Sequence, residues 1–170
     1  MALETPLWIQ NGRFPSYADR TLIEALVRPG VIGHLDPIAL AIDGGGGNNT
    51  LGGVPRIPDL GVTLTSTTPP QVTVAPGRCV IAGTDQLHQG SYVCRMTDPL
   101  VLDLAARPAS GSRRDLVYAQ VIDTSAGITG TDGWVIDRLT GDPAPANPVL
   151  PTLPGSAIAL ADVLVPSGTA

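Results

Sequence analysis

VTVAPGRCVIAG (residues 72–83), TDQLHQGSYVCRMTDPLVLDLAARPASGS (84–112) and RRDLVYAQVID (113–123) form one unbroken stretch, and its reading decides the fold. Short β-rich runs alternate in it with turn residues. Val72 and Val74 flank Thr73 and lead into Ala75-Pro76-Gly77. Proline presets φ and glycine accepts φ > 0, so Pro-Gly is a strong turn signal. The run Cys79-Val80-Ile81-Ala82 ends at Gly83, and Tyr92-Val93-Cys94 and Leu100-Val101-Leu102-Asp103-Leu104 follow. Residues 116–122 make the clearest strand, with Val117, Ala119 and Val121 on one face and Tyr118 and Gln120 on the other. None of these runs has the three-to-four-residue spacing of an amphipathic helix.

Outward from this block, composition sets the bounds. The chain has 170 residues, enough for one ordinary domain with an extended arm. Its 43% apolar and 15% charged content argues against intrinsic disorder. Twenty glycines and 17 prolines suit a turn-rich protein. With 4% aromatic residues the core must be built from Val, Leu, Ile and Ala, and a core so thin in aromatics is expected to lean on a partner subunit. The net charge is −5, and all ten cationic residues are arginines. An acidic chain repels a phosphate backbone, and the Arg113-Arg114 pair is too short for a basic patch, so nucleic-acid binding is not expected. No run of about 18 apolar residues occurs, so no membrane-spanning helix is expected either. The start MALETPLWIQNG lacks the basic residues and long apolar stretch of a signal peptide. The expectation is a chain made and kept in a cytoplasm.

Residues 1–15 read as an extended arm on which Trp8 and Phe14 are isolated aromatics suited to docking. Residues 16–28 predict the one short helix. Ser16 is its N-cap, Asp19 completes a capping-box-like pair, Ala18, Leu22, Ile23, Leu26 and Val27 make its apolar stripe, and Pro29-Gly30 stops it. Residues 31–42 hold two short apolar pieces, VIGHL and IALAI, which fit strands or a second helix. The glycine run 44–47 lacks the Gly-Lys-Ser/Thr of a phosphate loop and reads as a flexible loop. Residues 51–70 read as a linker with one strand over 61–65. After residue 123 come a polar loop (124–133), a short strand at Trp134-Val135-Ile136, and a segment carrying Pro143, Pro145, Pro148, Pro151 and Pro154. Proline at that density forbids a central strand and favours an extended connection. SAIALADVLV (156–165) is the last strand.

Candidate chemistry is sparse. Val121-Ile122-Asp123-Thr124-Ser125 resembles an aspartic-protease strand end, but Ser125 stands where glycine belongs and the chain holds no second copy, so the other carboxylate could come only from a homodimer partner. A serine triad through His34 or His88 lacks a G-x-S-x-G elbow. Asp36, Asp98 and Asp142 each precede proline, where they fit turn initiation. Cys79 and Cys94 sit in neighbouring strands that a hairpin around 82–91 would bring together. They read as buried, reduced thiols, not a zinc site. Arg114-Asp115 stands just before a buried strand, where a charged pair can fix register or bridge subunits, or simply sit on the surface.

The turn Val74 to Arg78, Gly90-Ser91-Tyr92, the Arg114 to Val117 entry, the Leu160 to Val163 ending and the front piece PSYADRTLIEALVRPGVI together resemble minor tail proteins of actinobacterial tailed phages. The resemblance covers most of residues 14–165. It implies a structural virion protein of a tail tip or baseplate, a symmetric homo-oligomer such as a trimer, and other tail proteins as partners. It implies no enzyme activity and no cofactor. Residue order and resemblance together lead to a mainly β fold: a small β-sandwich or barrel-like domain over residues 61–170, preceded by an arm, helix and Gly-rich loop over 1–60 that serve oligomerisation or docking. Trp8, Phe14, Leu22, Ile23 and Leu26 are the expected interface residues. The alternative is a carbohydrate-binding module that contacts the host surface, with Trp134 and Tyr92 or Tyr118 stacking on sugar rings.

Overall fold

The computed structural model describes residues 59–168 except residue 88, together with the backbone of five short strands nearer the N-terminus. Those five are β1 (Leu3–Glu4), β2 (Gly30–Val31), β3 (Ile38–Ala41), β4 (Thr50–Leu51) and β5 (Val54–Pro55). The strands that follow are β6 (Val62–Thr67), β7 (Pro70–Val74), β8 (Gly77–Ala82), β9 (Ser91–Met96), β10 (Leu100–Asp103), β11 (Arg113–Ile122), β12 (Gly133–Leu139) and β13 (Ala157–Val165). The chain is mainly β, as its period-two patterning indicates. A single 3-10 turn, Thr124–Ala126, is the helical element among the described residues. Within the two apolar pieces of 31–42, Val31 ends β2 and Ile38–Ala41 form β3, while residues 32–35 lie outside the described residues. The predicted helix over 16–28 lies outside the described residues.

The strands form three sheets and a small β4–β5 ribbon. The sheet orders are β1-β9-β8-β2, β10-β7-β6 and β12-β11-β13-β3. Pairing is antiparallel throughout except where β3 runs parallel to β13. All three sheets face one core. Val62, Val72 and Val74 come from one sheet, Cys79, Ile81, Tyr92, Cys94 and Met96 from another, and Val117, Trp134, Leu160 and Val163 from the third. Each large aliphatic fully removed from water contributes roughly 1.5–3 kcal/mol, so this shared interior is the main stabilising term.

Pro76-Gly77 turns the chain, although the turn makes no hairpin. β7 and β8 belong to different sheets, and the dipeptide is the corner between them. Gly77 is required for space, not for a positive φ. A Cβ there would lie 2.3 Å from the Leu60 backbone nitrogen, far inside van der Waals contact. The true hairpin is β8–β9, in which Cys79 pairs with Cys94 and Ala82 with Ser91.

β11, flanked by β12 and β13, is buried on both faces from Asp115 to Ala119. Its partner β13 changes phase along its length. Val117 pairs with Ala161 and Tyr118 with Ala159, which leaves Leu160 as an extra residue, a β-bulge. Ile158 and Leu160 face the core before the bulge, and Ala161, Val163 and Val165 face it afterwards. The bulge thus lets a strand whose apolar residues shift from even to odd positions bury both sets.

Candidate functional site

Charge inside the domain is used for cross-linking. A carboxylate removed from water costs several kcal/mol unless it is paired and hydrogen-bonded. Asp115 is fully buried, and Arg113 answers it with Nε 2.9 Å from Oδ1 and 3.2 Å from Oδ2. The Gly141 amide donates to the same Oδ1 at 3.0 Å. The two terminal nitrogens of Arg113 donate to the carbonyls of Ala106 and Ala105. One ion pair therefore ties the segment before β11, the start of β11 and the turn after β12. The sequence-based pairing of Arg114 with Asp115 is corrected here. Successive strand residues point to opposite faces, so 113 and 115 can meet and 114 and 115 cannot. Arg114, on the other face, reaches across to Asp162 of β13, with Nε 3.0 Å from Oδ1 and a second contact from Nη2 to Oδ2. Hydrogen bonding to Asp162 raises the guanidinium's pKa.

Asp123 closes β11 in the same structural manner. Its Oδ1 accepts the Ser125 amide at 2.9 Å, the Ser125 hydroxyl at 2.5 Å and the Ala126 amide at 3.3 Å, which caps the 3-10 turn. Its Oδ2 accepts the Tyr92 hydroxyl from the neighbouring sheet. Asp123 is fully buried with both oxygens engaged, so the aspartate that resembled a protease motif is a strand-end turn cap. A third link joins the loop after β8 to the turn before β13. The Ser156 amide donates to Thr84 Oγ1 at 2.7 Å, and the Thr84 amide returns a bond to Ser156 Oγ at 3.0 Å. The Ser156 hydroxyl also donates to Asp85. Gln89 Oε1 gathers the Asp85 amide at 2.8 Å.

The outward surface has a different character. Residues 142–155 include no buried residue. This proline-rich strap is held at its start by the Gly141–Asp115 bond and by paired backbone bonds between Ser112 and Ala144 at 2.8 and 2.9 Å. Its far end is held by Gln120 Nε2, which donates to the Gly155 carbonyl at 3.1 Å. Between these anchors Val149 is 80% exposed and Leu153 36%. An open groove of about 310 Å³ lies beside it, lined by Gly141, Pro143, Val149, Leu150 and Pro151. Prolines have no amide hydrogen, so the strap can lie extended without a ladder partner. Two further surfaces are sheet edges. The β10-β7-β6 sheet ends on β6 at one side and β10 at the other, where Val101 is half exposed, and β12 ends the sheet built on β11. Edge strands present backbone groups that another chain can pair with.

Among the described residues no group of three or more His, Cys, Asp or Glu is placed to hold a metal ion. Trp8, Phe14, Leu22, Ile23 and Leu26 lie outside the described residues, as do His34, His88 and the glycine run. Trp134, Tyr92 and Tyr118, the aromatics offered for sugar stacking, are all buried. That reading is corrected for these three rings: Tyr92 and Trp134 fill the core, and Tyr118, on the opposite face of β11, is buried beside Asp137. Burial first, and then the Asp137 carboxylate opposite, push the Tyr118 phenol's pKa upward. The strap's prolines alone predict a connection there. Its exposed Val149 and Leu153 lay in plain view, but only the anchors at Gly141 and Ala144 show that they are held outward.

No family model, no curated protein and no solved structure matches this chain.

Proposed function

We propose that this chain is a structural component of a phage tail tip or baseplate that works by protein–protein assembly and links the tail to receptor-binding parts. The observation that carries the reading is the division between inside and outside. Asp115, Arg113, Asp123 and Ser156 are buried in internal cross-links. The outward features among the described residues are an anchored apolar strap and the sheet ends at β6, β10 and β12. Such a surface suits contact with other chains: partners can extend a sheet at its edge or cover apolar side chains. The resemblance to minor tail proteins supplies the identity of those partners, other tail proteins and further copies of the same chain. Trp8, Phe14, Leu22, Ile23 and Leu26 are the contact set that sequence adds from the N-terminal part.

The test has two arms. Purified full-length protein is analysed by size-exclusion chromatography with light scattering, and purified virions are analysed by peptide mass spectrometry. The expected result is a symmetric oligomer in solution and stoichiometric presence in the particle. A well-folded monomer at all concentrations, missing from virions, would overturn the reading.

A further inference from the structure

Cys79 and Cys94 stand directly opposite each other in the β8–β9 ladder. Both are free thiols, fully buried, within the core cluster that also holds Ile81, Tyr92 and Met96. We propose that this pair is an oxidation-closed staple: a peroxide-class oxidant converts the two thiols into an intramolecular disulfide that locks β8 to β9.

The geometry supports closure. Facing residues of an antiparallel pair place their Cβ atoms about 4.5–5.5 Å apart on one side of the sheet. A disulfide needs about 3.5–4.5 Å, so a small approach of two paired strands suffices. Burial first, and then the facing Cys79, push the Cys94 thiol's pKa well up.

The chemistry balances with hydrogen peroxide as the two-electron acceptor. One sulfur, as thiolate, attacks the O–O bond, forming a sulfenic acid and releasing hydroxide. The other sulfur then displaces the sulfenic oxygen, forming the S–S bond. The two thiol protons leave with the two oxygens as two waters. Because both sulfurs are sealed from solvent, the reaction waits on opening of the hairpin, and its rate is set there. The loop that closes the hairpin is bound to the turn before β13 through Thr84, Asp85 and Ser156. Weakening that latch exposes the thiols more often. This pairing follows from strand register alone and stands whether or not the chain assembles into a tail.

The experiment uses the full chain, reduced and then treated with hydrogen peroxide, unfolded, alkylated and weighed. Trypsin leaves both cysteines in one peptide because Arg78 and Arg95 flank them, whereas cleavage before Asp85 separates them. After oxidation the two halves are expected to remain joined until reductant is added, with neither sulfur alkylated. Closing this short loop is expected to raise Tm by about 10 °C, reversibly. Ser156→Ala is expected to accelerate closure several-fold without changing the product. Cys79→Ala and Cys94→Ala are each expected to stop at an oxidised single sulfur with no rise in Tm. Two alkylatable thiols after treatment, independent oxidation of both sulfurs to sulfinic acid, or cross-links only between chains would each overturn the proposal.

Discussion

Asp115 shows what a single buried charge controls. Removing one partner of a desolvated ion pair leaves the other without compensation, and such losses run to about 3–5 kcal/mol. Asp115→Ala strands Arg113 and frees the Gly141 amide at once. Urea unfolding is therefore expected to show a loss of about that size, whereas Asp162→Ala, at a partly exposed pair, is expected to cost under about 1 kcal/mol. Tyr118, alongside the buried Cys94 thiol, whose pKa is also raised, contributes to the alkaline pH dependence. Its pKa is raised in the folded state by burial and by Asp137, so the unfolded chain releases the phenolic proton first. The stability this confers is fully present below the ordinary phenol value of about 10 and is lost as pH rises through the higher folded value. Thermal scans between neutral and strongly alkaline pH are expected to show a steeper decline for the wild type than for Tyr118→Phe.

At the scale of elements, the phase change in β13 matters most. The bulge at Leu160 places Val163 in the core and leaves its neighbour Leu164 partly exposed. Val163→Asp buries an unpaired carboxylate and is expected to cost more than about 4 kcal/mol. Leu164→Asp is expected to stay within about 1 kcal/mol. Equal losses in the two variants, measured by chemical unfolding, would show that the register is otherwise. The turn after β12 gives a second handle. A Cβ at Gly141 would fall 2.1 Å from the Arg114 carbonyl oxygen, so Gly141→Ala must displace the strap anchor or the strand. It is expected to lower Tm well beyond the change caused by Gly133→Ala, where the nearest atom lies at 3.9 Å.

For the whole molecule, stability and assembly are expected to separate. The core is shared by three sheets, whereas the strap side chains Val149 and Leu153 contribute little to it. Val149→Asp combined with Leu153→Asp is expected to leave Tm nearly unchanged, since exposed substitutions usually fall within about 0.5 kcal/mol each. The same variant is expected to shift the light-scattering mass toward the monomer if the strap lies in the interface. An unchanged mass would move attention to β6, β10 and β12, which end their sheets among the described residues.

Residue order alone settles the features that depend on local sterics. Val72-Thr73-Val74 and the run from Leu116 to Ile122 alternate with period two and can bury a face only as strands. Pro76-Gly77 turns, and five prolines keep 143–154 out of the sheets apart from the single Ser112–Ala144 bridge. The Cys79–Cys94 pairing is also legible, because one short hairpin joins the two runs. The remaining features needed contacts between residues far apart in the chain. Which arginine answers Asp115 depends on the strand face and on carbonyls at 105 and 106. Asp123 becomes a cap because Tyr92 arrives from another sheet. Trp134 is core and not a sugar platform because three sheets close over it. Alternation assigns residues to two faces of a strand, but only packing decides what covers each face.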